Sequence, residues 1–120
     1  ILNNKGRVHF TLTSPINDQL AKLDRNMEKN ELIAAIASII DKEIYKHYRF
    51  YPCNYVAYDM LNGTRRFSEN YSLKDKKQFE TYLQGQLDKI VLPNKDEAFL
   101  RTKILEMYTN PLKNHLENKE

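Results

Sequence analysis

The residues best equipped for chemistry crowd into one stretch, since Tyr45, His47, Tyr48, Arg49, Phe50, Tyr51, Cys53, Tyr55, Tyr58, Arg65 and Arg66 all fall between positions 45 and 66. Tyrosine buries a large apolar ring while keeping a wet hydroxyl. Interleaved with arginine, it can line an acyl-chain groove or rest at a membrane surface beside cationic side chains. On that chemistry Arg49, Tyr51, Tyr55, Tyr58, Arg65 and Arg66 are the candidate substrate or lipid contacts. The competing reading is a packed corner between two helices, where large side chains fill the angle. His47 places an imidazole beside Arg49, yet acid–base work needs an orienting carboxylate, and none stands at an evident spacing. Asp59 could pair with one of the arginines, a structural contact that is weak when exposed. Cys53 follows Pro52 near a helix start, where a thiol pKa can fall. Without evident His and acid partners it reads as a buried, inert thiol.

Outside that stretch the signals are sparser. Lys74, Asp75, Lys76 and Lys77 open a predicted helix, an unfavourable place for cations given the helix dipole. They face either anionic headgroups or plain solvent. No spacing of His, Cys, Asp or Glu matches a zinc, calcium or iron site, so no metal and no cofactor is expected. The 19 basic and 16 acidic residues are interspersed and leave a net charge of only +3, which argues against a nucleic-acid-binding stripe. One cysteine cannot form an internal disulfide. No run approaches the roughly 18 consecutive apolar residues of a membrane span. The expected compartment is the cytoplasm, with the inner face of the membrane as an accessible surface.

These groups must be held by local structure, and the pattern is mainly helical. Three Gly and four Pro are too few for a turn-rich sandwich or barrel. Residues Gly6 to Thr13 are the exception: Val8, Phe10 and Leu12 alternate with polar neighbours, the period of a half-buried strand, until Pro15 stops the pairing. One strand is not a sheet, so its partners are expected elsewhere. Leu20, Leu23 and Met27 predict a short helix, with Asn17 or Asp18 as its cap. Ile33, Ile36, Ala37, Ile40, Ile44 and Tyr48 predict an amphipathic helix from Glu31 to Tyr48. Pro52 ends it and starts another, which Asn62-Gly63 closes. Ser72 with Asp75 resembles a capping box, opening a helix that carries Phe79, Tyr82, Leu83, Gln86, Leu87 and Ile90 on one side. Asn94 with Glu97 repeats that signature before Leu100, Ile104, Leu105 and Tyr108. Asn110-Pro111 should interrupt this last helix and leave a frayed tail that includes His115. The fold class is therefore mainly α, a bundle of four to five helices with one short N-terminal β-strand. Residues 1–17 are expected to supply the strand and residues 18–120 the helical domain.

Two segments carry a resemblance. The run K-G-R-V-H-F-T-L-T-S-P-I-N, Lys5 to Asn17, resembles the strand that ends the core of the glycerolipid, lysophosphatidic-acid-acyltransferase-like family. The run I-D-K-E-I-Y-K-H-Y-R-F-Y-P-C-N-Y-V-A-Y-D-M-L, Ile40 to Leu61, is similar to a C-terminal extension in a bacterial branch of acyltransferases. The resemblance implies acyl transfer from a coenzyme A or acyl-carrier-protein thioester to a hydroxyl of a glycerol-phosphate-type lipid. It also implies a catalytic His followed, after four residues, by Asp. Here His9 leads to Ser14, His47 to Pro52 and His115 to Glu120, so none supplies the pair. The family's phosphate-binding Glu-Gly-Thr-Arg has an echo in Asn62-Gly63-Thr64-Arg65, but Asn62 replaces the Glu and the run follows the strand instead of preceding it. That run reads as a turn bearing solvated arginines. The chain opens on Ile1, and the expectation is a non-catalytic C-terminal part of a longer protein whose catalytic domain lies before it. The partners expected are that catalytic domain and a lipid substrate or membrane surface, with no nucleic acid. The alternative is a non-enzymatic helical protein-interaction module.

Overall fold

Helix signals dominate the sequence, and the computed structural model, which describes residues 6–118, is built from α1 (Asn17–Ala21), α2 (Lys29–His47), α3 (Pro52–Asn62), α4 (Leu73–Asp88) and α5 (Glu97–Glu117). A 3-10 turn, Ser68–Asn70, links α3 to α4. The chain divides into two compact units, residues 6–49 and residues 50–118.

In the first unit no described residue is buried. The strand expected over Gly6–Thr13 is not formed: residues 6–16 adopt neither helix nor ladder. A strand exists only through exchange of N–H and C=O bonds with a neighbour, and none is present among the described residues. Val8, Phe10 and Leu12 accordingly stand 68%, 91% and 100% exposed. The α2 helix forms as its apolar period predicts, but with a different inner side. Leu32, Ala35, Ile36, Ile39 and Glu43 are half-buried, while Ile33, Ile40, Ile44 and Tyr48 of the expected stripe are exposed. Apolar residues cover more than one stripe of this helix, so periodicity alone does not choose which side turns inward.

The second unit holds the core. Val56 and Ala57 of α3, Phe79, Leu83 and Leu87 of α4, and Leu105 of α5 form one buried cluster. The α3 helix packs mainly on α5 and also on α4. Local signals fix its ends. Pro52 takes the first helical position, where its missing N–H costs nothing, and Gly63 closes the helix at φ 63°, ψ 36°, a left-handed geometry that side chains disfavour. Tyr51 N–H donates to Asn54 Oδ1 at 2.9 Å, and Asn54 N–H returns a bond to the Tyr51 carbonyl at 2.9 Å. The expected capping box opens α4: Asp75 N–H donates to Ser72 Oγ at 3.0 Å and Ser72 N–H to Asp75 Oδ2 at 2.9 Å. At the far end Lys95 Nζ donates to the carbonyls of Leu87 at 3.0 Å and Ile90 at 3.3 Å, a cation at the negative end of a helix.

Two expectations about α5 are corrected. Its cap is Asp96, whose side chain accepts from Phe99 N–H at 3.1 Å, while Asn94 sits in a left-handed turn at φ 56°. Pro111 does not end the helix, which runs on to Glu117. An internal proline costs about 3 kcal/mol. Here the turns on either side of it bury Leu105, Thr109 and Leu112, so fraying would expose the core-facing line that the helix exists to cover. His115 is thereby in a folded turn, its ring 5.1 Å from that of Phe50.

Candidate functional site

The segment that leaves α3 has to return to α4 within ten residues, 63–72, and one carboxylate organises that return. Asp59, only 3% exposed, lies one turn before the Gly63 cap. It accepts from Thr64 Oγ1 at 2.8 Å, from Phe67 N–H at 3.1 Å and from Tyr71 Oη at 3.0 Å. Thr64 N–H adds a bond to the Asp59 carbonyl at 3.0 Å. Burial, and then donation to Asp59, raises the Tyr71 pKa above the ordinary tyrosine value, with Arg65 opposing the shift. The sequence leaves open a pairing of Asp59 with one of the arginines. Neither Arg65 nor Arg66 forms an ion pair with it, and the bonds go to hydroxyls and a backbone amide.

Around this hub the tyrosine-rich stretch folds into a ring cluster. Phe67 is the centre, with Tyr58 edge-on at 5.0 Å and Tyr55 tilted at 5.3 Å. Phe50 meets Tyr55 at 6.1 Å. Arg66 Nη1 donates to Tyr58 Oη at 3.1 Å, and its guanidinium lies 5.1 Å from the Phe67 ring centre, a cation–π distance. Tyr55, Tyr58 and Arg66 are thus brought together, and Tyr51 is half-buried at the head of α3. Arg65 lines a separate groove of about 480 Å³ with Asp59, Thr64, Ser68, Tyr71 and Lys76. Arg49 belongs to the other unit. The Tyr55 and Tyr58 rings pack on Phe67 of the connection that follows α3, not in a corner between two helices, and Arg65 and Arg66 are exposed.

A second groove of about 520 Å³ runs between α3 and α5, bordered by Tyr58, Leu61, Arg66, Glu106, Thr109 and Lys113. Thr109 is 2% exposed, and its Oγ1 has no hydrogen-bond partner. On the other side of the core Tyr108 Oη donates to Tyr82 Oη at 2.8 Å, and burial, then this bond, raises the Tyr108 pKa well above the tyrosine range. Asn54 ties α3 to α5 by donating to the Tyr108 carbonyl at 2.8 Å. Sequence reading overlooked Asn54 and Thr109. A buried amide one turn into a helix leaves no periodic mark, although the reciprocal spacing of Tyr51 and Asn54 was a capping signal that could have found it.

The histidines do not converge on a carboxylate–nucleophile set. His47 Nε2 lies 3.4 Å from Glu43, one turn back on α2, a surface pair that supplies the carboxylate the sequence had not suggested. His9 meets Thr11 Oγ1 at 2.7 Å. Cys53 is half-buried beside the core and is not in a disulfide. Among the described residues no three His, Cys, Asp or Glu side chains group so as to hold a metal, and no helix is long and apolar enough to cross a membrane. No protein-family model matches the chain, and neither a curated protein nor a solved structure matches it.

Proposed function

We propose that this chain is the non-catalytic, helical C-terminal part of a glycerolipid-type acyltransferase, working beside a catalytic domain of the same protein. The observation that carries the reading is the alternating run Val8, Phe10, Leu12, exposed to solvent with no ladder partner among the described residues. Each such side chain gains about 1.5–3 kcal/mol on full burial, so three together favour docking onto a sheet edge strongly. The resemblance of Lys5–Asn17 and Ile40–Leu61 to that family supports the same reading. The sequence contains no His followed after four residues by Asp, so on this reading acyl transfer falls to the catalytic domain. Of the lipid contacts drawn from the sequence, Arg49, Arg65 and Arg66 are exposed, while Tyr51, Tyr55 and Tyr58 are half-buried.

A second reading, a protein-interaction module without enzyme activity, is favoured by the exposed line Ile33, Ile40 and Ile44 on α2. One experiment separates the two. The product of the complete open reading frame is assayed for transfer of a labelled acyl chain from acyl-CoA and from acyl carrier protein to lysophosphatidate. Transfer that falls with Phe10→Asp, while the melting temperature of the 120-residue chain stays unchanged by the same substitution, is expected. Absence of transfer from either donor overturns the acyltransferase reading.

A further inference from the structure

The net charge of the chain is +3, and all of it resides in one short segment. Residues 63–77 carry Arg65, Arg66, Lys74, Lys76 and Lys77 against Glu69 and Asp75, five positive and two negative charges, so the rest of the sequence sums to zero. The fold holds this segment together: the Asp59 hub fastens residues 64, 67 and 71, and the Ser72–Asp75 box fixes the turn into α4. Arg65, Leu73 and Lys76 consequently line one groove with Ser68 and Ser72. None of the five cations forms an ion pair with a carboxylate among the described residues. Lys74, Lys76 and Lys77 lie in the first turns of a 16-residue helix, where the dipole disfavours them. Self-stability does not explain that placement.

In the middle of these charges Leu73 is 87% exposed. Cations without a carboxylate partner near an exposed aliphatic side chain, with Arg65 and Lys76 lining the same groove as Leu73, match a bilayer interface, where headgroups meet the charges and the acyl boundary takes the Leu. A single-stranded nucleic acid would ask for free aromatic faces to stack bases. The aromatic residues here are committed, Phe67 to the ring cluster and Tyr71 to Asp59. We infer that the edge formed by residues 63–77 is a peripheral binding surface for anionic phospholipid bilayers, with Leu73 inserting between headgroups. This surface stands on the charge and exposure of the second unit and does not depend on the acyltransferase reading.

The test is co-sedimentation of the 120-residue chain with vesicles of phosphatidylcholine alone or with about 30% phosphatidylglycerol, at low and at about 0.5 M salt. Binding to the anionic vesicles only, weakened at high salt, is expected. Replacing Lys74, Lys76 and Lys77 together by Ala should lower the partition coefficient roughly 100-fold, about fivefold per cation. Leu73→Ser should lower it roughly tenfold. Unchanged helical circular dichroism in both variants excludes misfolding. No binding to anionic vesicles at low salt, binding indifferent to the triple substitution, or retention of RNA in place of vesicles overturns the inference.

Discussion

Asp59→Asn is the perturbation that probes the second unit most directly. The carboxylate is almost fully buried and receives three hydrogen bonds, from Thr64 Oγ1, Phe67 N–H and Tyr71 Oη. An asparagine keeps the shape but turns one acceptor oxygen into a donor: an amide in place of Oδ1 takes the acceptor from Thr64 Oγ1, and in place of Oδ2 it takes the acceptor from both Phe67 N–H and Tyr71 Oη. A hydrogen bond to a charged group contributes about 1.5–3 kcal/mol, and the surviving bonds lose their charge assistance. The expected cost is about 3 kcal/mol. At about 4–8 °C per kcal/mol for a domain of this size, the melting temperature should fall by roughly 12–24 °C in a far-ultraviolet circular-dichroism scan. Tyr71→Phe, which removes a single bond, should cost about 1 kcal/mol alone and much less in the Asp59→Asn background, because the two groups share one interaction. The opposing force is the penalty for desolvating a carboxylate that has no cation bonded to it. If that penalty dominates, Asp59→Asn will match or exceed the original stability, and the assignment of Asp59 as the hub of the 63–72 connection is wrong.

The remaining expectations concern the α3–α5 side and the response to alkali. Burial first, then hydrogen bonding, raises the pKa of both Tyr71 and Tyr108. The folded chain therefore holds these protons more tightly than the unfolded one, and the associated stability is full below about pH 10 and is lost as pH rises beyond it. Denaturant midpoints taken from pH 8 to 11 should show that decline, and Tyr108→Phe should make it shallower. An equal slope in the variant counts against the burial assigned to Tyr108. Thr109→Val replaces a buried hydroxyl that has no partner by an isosteric methyl, and should raise stability by about 1 kcal/mol in the same assay. A loss of stability would mean that the hydroxyl makes a bond the geometry does not reveal.

What could be read from the sequence, and what could not, divides by the range of the interaction involved. Pro52, Gly63 and the Ser72–Asp75 box act within four residues, and each stands where its local chemistry places it. Local rules failed where a distant contact outweighed them. Pro111 reads as a helix end, yet Leu112 has a buried seat beyond it, and covering that seat offsets the lost backbone bond. Asn94 and Asp96 are both competent caps for one helix, and the left-handed turn at Asn94 leaves the role to Asp96. The run from Val8 to Leu12 shows the opposite limit: its alternation is fully legible, but a ladder is a property of two segments, and one segment cannot encode its neighbour's position. Asp59 was the least legible of all. Its three donors lie five, eight and twelve residues downstream on a connection with no period, so only the fold reveals that a charge within a tyrosine run is a brace for the loop and not a partner for its arginines. The same brace leaves Arg65 and Arg66 turned outward, and this is why the charged edge becomes visible only once the connection from α3 to α4 has been traced.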